Sequence, residues 1–468
     1  MHRLTRRMMG KLLLGCGMAF PTSAVASEGA ARGEAIELLR AMGYVVVTPA
    51  GPKDGGDFGP YTPGTQTSGL QEAFDYSRKQ DRDLFISGGS AGEDGVTYTL
   101  KKTLHIPWHH SFRCDGGEYH IVYGEKSGDA VVIDSQMNTY IKLGSVSTEA
   151  PDGAAVHMKP ETIGPDGLAV ITASRFEFNY LIADGGPWWK ELGRQEGSGI
   201  ALFLDGAPGC IINNRFYAVE TAFSDRGLYI RKDVWNNRID VDFMHLSNTH
   251  IQIGDAEFPE PGFNHIETVV IDGDNLPQTT GARIFGHDNI LLLNIAHGGI
   301  VFESTARNNI VETLHLGGCV TNLAEVPNNQ VVSTHQVGLH VETPPVPASG
   351  QETTNRSPWS VEVIILKPGK VAGWTITEFN KQPQWVYNPL RETAQPMSEE
   401  MAGFMRPKAV SNSPRAYNQK HLISAADKTS VTIEGGLFPG QCIVLDPGDR
   451  IAFQYSEAPC WRWKALRA

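Results

Sequence analysis

Apolar and polar positions alternate with a period of two over most of the chain, and helical spacing is confined to the front. Ala35 to Met42 predicts a short amphipathic helix. Ser68 to Gln80 predicts a second, with Ser68 as its cap, Gln71 at the third helical position, and Leu70, Ala73, Phe74 and Arg78 in helical register. Thereafter the period shifts. Asp83-Leu84-Phe85-Ile86-Ser87 predicts a buried strand closed by Gly88-Gly89.

From about residue 129 one unit recurs. A Gly or Ala opens an alternating strand that ends on polar residues, and some nine residues later an Asn or Asn-Asn precedes another apolar alternation. The clearest strands begin at Gly199, Gly227, Thr249, Gly281, Gly299, Cys319 and Gly338, at intervals of 28, 22, 32, 18, 20 and 19 residues. A unit this short cannot bury its own apolar face and must stack on its neighbours. Three strands and three turns in about 20 residues make one coil of a parallel β-helix. Asn suits the sharp turn between the second and third strands, because it tolerates the left-handed conformation and its amide can ladder to the coils above and below. Asn236, Asn289, Asn308 and Asn328 are therefore expected on one edge of the solenoid. An antiparallel sandwich is the competing architecture, but hairpin dipeptides such as Asn-Gly are missing from these turns.

The front end resembles the capping segment of pectate-lyase-like right-handed parallel β-helix proteins. A helix of the type Thr67-Ser68-Gly69-Leu70-Gln71-Glu72-Ala73-Phe74 is followed by a strand like Leu84-Phe85-Ile86, then by Tyr98-Thr99-Leu100 and Leu104-His105-Ile106-Pro107. With the coils, the resemblance covers roughly residues 44 to 345. It implies an all-β fold, a right-handed parallel β-helix with a short N-terminal capping helix. The superfamily includes polysaccharide lyases, glycoside hydrolases, sugar epimerases, fructan-processing transferases and phage depolymerases. The Asp-Pro-His-Asp signature of alginate epimerases and the Asn-Thr-Asp and Asp-Asp motifs of polygalacturonases are not found here.

The expected organisation is an export signal over 1–26, a cap and first coils over 27–128, the β-helix over 129–345, and a small C-terminal β-domain over 352–468. In the tail, Val361 to Gly369, Gln441 to Gly448, Ile451 to Tyr455 and Trp461-Arg462-Trp463 read as strand-turn units, with a longer irregular stretch over 391–428. This domain is expected to cover the open edge of the last coil or to bind carbohydrate.

Composition sharpens the picture in two places. Residues 1–26 carry Arg3, Arg6, Arg7 and Lys11 and no acid, then a short apolar stretch and Ala24-Val25-Ala26. That is the plan of an export signal, and Arg6-Arg7 fits the twin-arginine route as well as the ordinary one. Leu13-Leu14-Gly15-Cys16 also resembles a lipidation box. The expected location is periplasmic or secreted. The whole chain has a net charge of −12, which argues against nucleic acid as a partner, and no later apolar run is long enough to span a bilayer. Export past residue 26 leaves five cysteines. Cys442 and Cys460 are the candidate disulfide pair, and Cys114, Cys210 and Cys319 read as buried thiols.

In proteins of this fold, substrate lies along the outer face of the first strand of each coil. Alternation assigns His157 and Lys159, Phe203 and Asp205, Tyr229 and Arg231, His250 and Gln252, and Arg283 and Phe285 to that face. A basic, aromatic column on an acidic protein fits an acidic polysaccharide, since Arg pairs bidentately with carboxylates and aromatic faces stack on sugar rings. The leading expectation is a polysaccharide lyase working by β-elimination. Arg231 and Arg283 neutralise the uronate, His250 or Lys159 is the base, and Tyr229 is the acid. His157, Asp205, Gln252, Phe203 and Arg283 contact substrate, and Trp188-Trp189, in an insertion before the Gly199 strand, suggest a sugar platform. Hydrolysis or intramolecular glycosyl transfer would need two carboxylates instead, with Asp272 and Asp274, Asp205 and Glu303 as options, and Asp240 and Asp242 lying near His245. A third expectation is a non-catalytic glycan-binding β-helix. No cofactor is implied, although converging acidic turns leave calcium possible.

Overall fold

The structure, a computed structural model, describes residues 25–88, 95–165, 167–184, 197–272, 279–296, 298–325, 328–336, 341–378 and 429–466. The export segment lies outside these residues apart from its last two positions, as do Trp188, Trp189 and the strand predicted from Gly338.

Three parallel sheets wrap one continuous core. Nine strands stack in the first column among the described residues, from Leu104–Ile106 through Val131–Ile133, Ala154–Met158, Ile200–Leu204, Arg226–Ile230, Thr249–Ile253, Thr280–Ile284 and Gly299–Phe302 to Val320–Asn322. A five-stranded sheet ends at Val234–Trp235 and is prolonged by single bridges through Gly262, His287 and Arg307. The third and longest sheet runs from Val45–Val47 through Arg175–Ile182, Arg215–Ala222, Arg238–His245, His265–Asp272 and Ile290–Ala296 to Gln330–Gln336. All pairings in the solenoid are parallel, so the chain is a parallel β-helix and the antiparallel alternative is excluded for it. Inward residues of successive coils touch directly; Phe176 and Phe216, for instance, stack at 5.1 Å. Each fully buried Leu or Ile of this core contributes about 1.5–3 kcal/mol.

The cap differs in detail from its prediction. The first helix is longer, Val25–Ala41, and the second is Leu70–Gln80. Ser68 is not its cap: it adopts φ 54° and donates its hydroxyl to Thr99 O at 2.7 Å. Thr67 Oγ1 accepts the Gln71 N–H at 3.1 Å instead, while Gln71 bridges both backbone groups of His105 at 2.8 Å. The substitution has a steric cause. Gly69, at φ +81°, packs so tightly on Gly59 that a Cβ would sit 2.4 Å from its nitrogen, and this fixes how the chain enters the helix.

At the corner between the second and third sheets the asparagines form two rows rather than one. The inner row is Asn214, Asn237, Asn264, Asn289, Asn309 and Asn329, all buried. Each backbone N–H donates to the next side-chain Oδ1 at 3.0–3.1 Å. The outer row holds Asn213, Asn236 and Asn308 at φ 51–61°, with Asp288 at φ 56°. Asn236 donates to Asn213 at 2.6 Å and Asn328 donates to Asn308. Asn289 therefore sits one residue inward of the edge shared by Asn236, Asn308 and Asn328. The corner is as expected; the register of Asn289 is not.

The tail forms two antiparallel sheets around a separate core. One has four strands, Glu352–Thr354, Arg450–Glu457, Lys370–Glu378 and Thr429–Glu434; the other has three, Cys442–Leu445, Val361–Lys367 and Cys460–Ala465. It meets the last coil through Pro358 O, which accepts the Val331 N–H at 3.0 Å, and through Trp359, which packs on the solenoid core. Cys442 and Cys460 lie on strands at opposite sides of Val361–Lys367, opposite Ile364 and Lys367. Two strand spacings of about 4.8 Å put them beyond disulfide reach, and both are free and exposed. Cys114 and Cys210 are buried thiols as expected, whereas Cys319 is exposed. Among the described residues no helix is long and apolar enough to cross a membrane.

Candidate functional site

The outer face of the first column keeps most of its expected register. His157, Phe203, Tyr229, Gln252 and Arg283 stand opposite one another in five successive strands. Their contacts, however, run along the solenoid and not outward. The His157 ring stacks on Phe203 at 4.3 Å, and Phe203 on Tyr229 at 5.0 Å with the planes 4° apart. Rings stacked in this way offer edges to solvent, not the faces a sugar would lie on. His157 is buried and bound through Nδ1 to Asp129 at 2.7 Å, and Gln252 is buried with its amide donating to Gly254 O at 3.0 Å.

His250 is displaced from its expected role. Its row is not that of Tyr229 and Arg283; it lies opposite Gly227 and Gly281, at the corner where the column meets the long sheet. It is 0% exposed, with Nδ1 3.2 Å from Thr280 O. It is fully enclosed, so it does not reach an external polymer.

The positive charge of the column is already matched. Arg231 contacts Asp205 at 3.2 Å, Asp255 at 3.4 Å and Glu257 at 3.5 Å, with its guanidinium 4.4 Å from the Phe258 ring centroid. Arg283 contacts Glu303 at 2.6 Å and Lys159 contacts Glu161 at 2.5 Å. Arg231 and Arg283 also differ by one outward row as well as two strands, which places their backbones roughly 12 Å apart. Tyr229 donates to Asp255. Burial, then that carboxylate, pushes the phenol up, so Tyr229 holds its proton. Burial works against ionisation of Asp255, but the Tyr229 hydroxyl, the N–H groups of Phe258 and Glu257, and Arg231 outweigh it and hold the carboxyl below its usual range. The column is thus a self-satisfied ion cluster. Asp255, Glu257 and Phe258 escaped the sequence reading, although the 32-residue interval that carries them, the longest of the series, marked an insertion.

A second set of polar residues gathers on the long sheet, where alternation fails. In each strand two consecutive residues face outward before the next inward one: Asn179 and Tyr180 between Phe178 and Leu181, Val219 and Glu220 between Ala218 and Thr221, Asp242 and Phe243 between Val241 and Met244. The pattern φ-x-φ-x-x-φ bends the strand and puts an extra side chain on its outer side. Register sets Glu220 opposite Phe243 and beside Tyr180, with Asp242 one residue along, so that the Glu220 and Asp242 backbones are roughly 6 Å apart. His245 Nε2 lies 3.3 Å from Glu220 Oε1. Tyr217 donates its hydroxyl to Asp242 at 2.7 Å and is pushed up to about 12, first by that bond and then by burial. Phe243 is 46% exposed beside them.

The two carboxyls differ in surroundings. Burial raises Glu220 above the usual carboxylate range, and the charge of His245 only partly offsets it. Asp129, Asp134 and Asp255 move the other way. Burial and the nearby Glu220 and Glu118 also raise Tyr180. A carboxyl shifted upward by burial, one strand away from a second carboxyl held by a tyrosine hydroxyl, is the kind of pair that acid-assisted cleavage of a glycosidic bond uses. Of these residues only Asp242 and His245 were singled out from sequence. Glu220 and Tyr180 were invisible because strict alternation gave no reason for both residues at the bend to face out. The alternative pair Asp272 and Asp274 falls outside the described side chains. Among the described residues no three His, Cys, Asp or Glu side chains gather as a metal-ligand set.

No protein-family model matches the chain, and no curated protein matches it. Among solved structures it is similar to WceF of Pantoea stewartii, described as a glycan biofilm modifying enzyme with a bacteriophage tailspike-like parallel beta-helix fold. The sequence identity is 10% and the TM-score 0.28, and the match covers 87% of this chain and 59% of that one. The chain thus spans less than two thirds of that neighbour's length. The parallel β-helix assigned here stands on the strand pairings themselves.

Proposed function

We propose that this protein is a carbohydrate-active β-helix enzyme that hydrolyses a glycosidic bond at the bend of the long sheet. The observation that carries this reading is the raised carboxyl of Glu220 next to Asp242. Glu220 gives its proton to the leaving oxygen. Asp242, held by Tyr217, acts on the opposite side as base or nucleophile, and Tyr180 and Phe243 border the sugar. The two residues stand on adjacent strands with their backbones roughly 6 Å apart. Export, as the Arg6-Arg7 segment implies, would bring the enzyme to an extracellular polymer.

The β-elimination reading has less support. Its candidate bases are enclosed (His250) or ion-paired (Lys159), the hydroxyl of its candidate acid Tyr229 is committed to Asp255, and its neutralising arginines are matched by carboxylates. The test is digestion of a panel of neutral and acidic glycans, following new reducing ends together with the ultraviolet absorbance of unsaturated uronates. Hydrolysis gives reducing ends without that absorbance, and Glu220→Gln or Asp242→Asn abolishes their release. Absorbance that rises with chain cleavage, or full activity in both variants, overturns the proposal.

A further inference from the structure

The outward row that precedes the bend on the long sheet is built from arginines. Arg175, Arg215 and Arg238 stand opposite one another on three adjacent strands, about 4.8 Å apart. Arg113 lies two strands further on, with Tyr140 between it and Arg175. Three of these four arginines are matched by an acid two residues later on the same strand. Arg113 contacts Asp115 at 2.7 Å, Arg175 contacts Glu177 at 2.6 Å, and Arg238 contacts Asp240 at 3.0 Å and Glu267 at 3.1 Å. At Arg215 the pattern breaks. The residue two positions on is Tyr217, whose hydroxyl is committed to Asp242. Arg215 is exposed and makes no ion pair among the described residues, although an arginine stands on either side of it.

The neighbouring arginines carry their own acids, so Arg215 is the one guanidinium of this row, among the described residues, with no acid in contact, and an anion can share it. We propose that Arg215 is a subsite for an anionic substituent, a carboxylate or a sulfate, of the glycan cleaved at the bend. This deepens the hydrolase reading and rests on it for the position of the cleaved bond. Arg215 lies five residues before Glu220 on the same strand, roughly 16 Å away. The charged group therefore belongs to a sugar several units from the scissile bond. The substrate class is an acidic polysaccharide whose charge is read at a distance from the chemistry. This accounts for a basic binding element on an acidic protein in a place other than the first column.

The test separates binding from turnover. Oligogalacturonates and sulfated oligosaccharides, each beside its methyl-esterified or desulfated counterpart, are titrated by calorimetry against the Glu220→Gln protein and against Glu220→Gln with Arg215→Gln. Arg215→Gln should weaken an acidic probe about tenfold, leave its neutral counterpart unchanged, and flatten the salt dependence of binding. The carboxylate and sulfate arms tell which anion is preferred. If no acidic probe binds more tightly than its neutral counterpart, or if Arg215→Gln weakens both alike, the subsite does not exist. Because binding is measured without turnover, that failure is distinct from full activity surviving in both Glu220→Gln and Asp242→Asn, which would overturn the hydrolase reading and leave the anion site standing.

Discussion

Glu220 and His245 face each other on adjacent strands of the long sheet, Oε1 3.3 Å from Nε2, with roughly a fifth of each side chain exposed. The arrangement sets two opposed influences on one proton. Burial favours the neutral carboxyl, and a charged His245 favours the carboxylate. An acid catalyst works only while protonated, so turnover is lost as pH rises through the Glu220 value. Removing His245 removes the lowering influence. In His245→Gln the alkaline limb of the pH–rate profile should therefore move to higher pH, measured as kcat against pH. An unmoved limb would detach His245 from the proton.

The same residue makes a stability prediction of opposite sense to the activity one. A carboxyl raised by folding contributes stability at pH below its unfolded value, and this is lost as pH rises through the folded one. Gln mimics the protonated acid, so Glu220→Gln should melt higher than the parent protein at neutral pH, with the difference shrinking in acid, while losing turnover by about two to four powers of ten. Thermal melts across pH check the sign.

Asp255 behaves inversely. Its folded value is depressed, so its contribution is present above the unfolded value and disappears as pH falls through the folded one. Tyr229→Phe removes the hydroxyl bonded to that carboxylate. It should cost about 1.5–3 kcal/mol at neutral pH, with the loss shrinking in acid. Denaturant midpoints at the two pH values decide it; an equal loss at both would show that the phenol acts by packing alone.

The asparagine rows differ in energetic weight. Asn264→Ala leaves the buried backbone N–H of Asn237 without its acceptor, while the Asn237 amide keeps Ile211 O and Trp235 O. About 2–4 kcal/mol should be lost, since an unmet buried donor costs its full desolvation. Asn236→Ala, in the outer and exposed row, should cost under about 1 kcal/mol. Urea melts of the two variants compare them directly.

Cys442 and Cys460 should both react with an alkylating agent in the native protein, and reducing agent should leave the melting temperature unchanged. A cross-linked peptide joining the two in a non-reduced digest would contradict the strand order of the tail.

Much of the solenoid was legible in the order of residues. The shift of period from helical to two, the intervals near 20 residues and the recurring asparagines determine a stack of coils closed at the front by Leu70–Gln80, because alternation is a local property of an extended chain and a lone coil cannot bury its apolar face. The outward row of His157, Phe203, Tyr229, Gln252 and Arg283 followed from that alternation too. What alternation could not supply was the state of each side chain once there. Whether Arg231 is free depends on Asp255 and Glu257, more than twenty residues away in sequence and set beside it by coil stacking. Whether Asn289 joins the inner or outer row depends on a one-residue register between coils. Whether Glu220 faces out depends on a bend that breaks the period of two within a strand. Tertiary structure decided these because contacts between coils are fixed by register and by which partner wins each charge, and neither quantity is carried by the spacing of residues along a single strand.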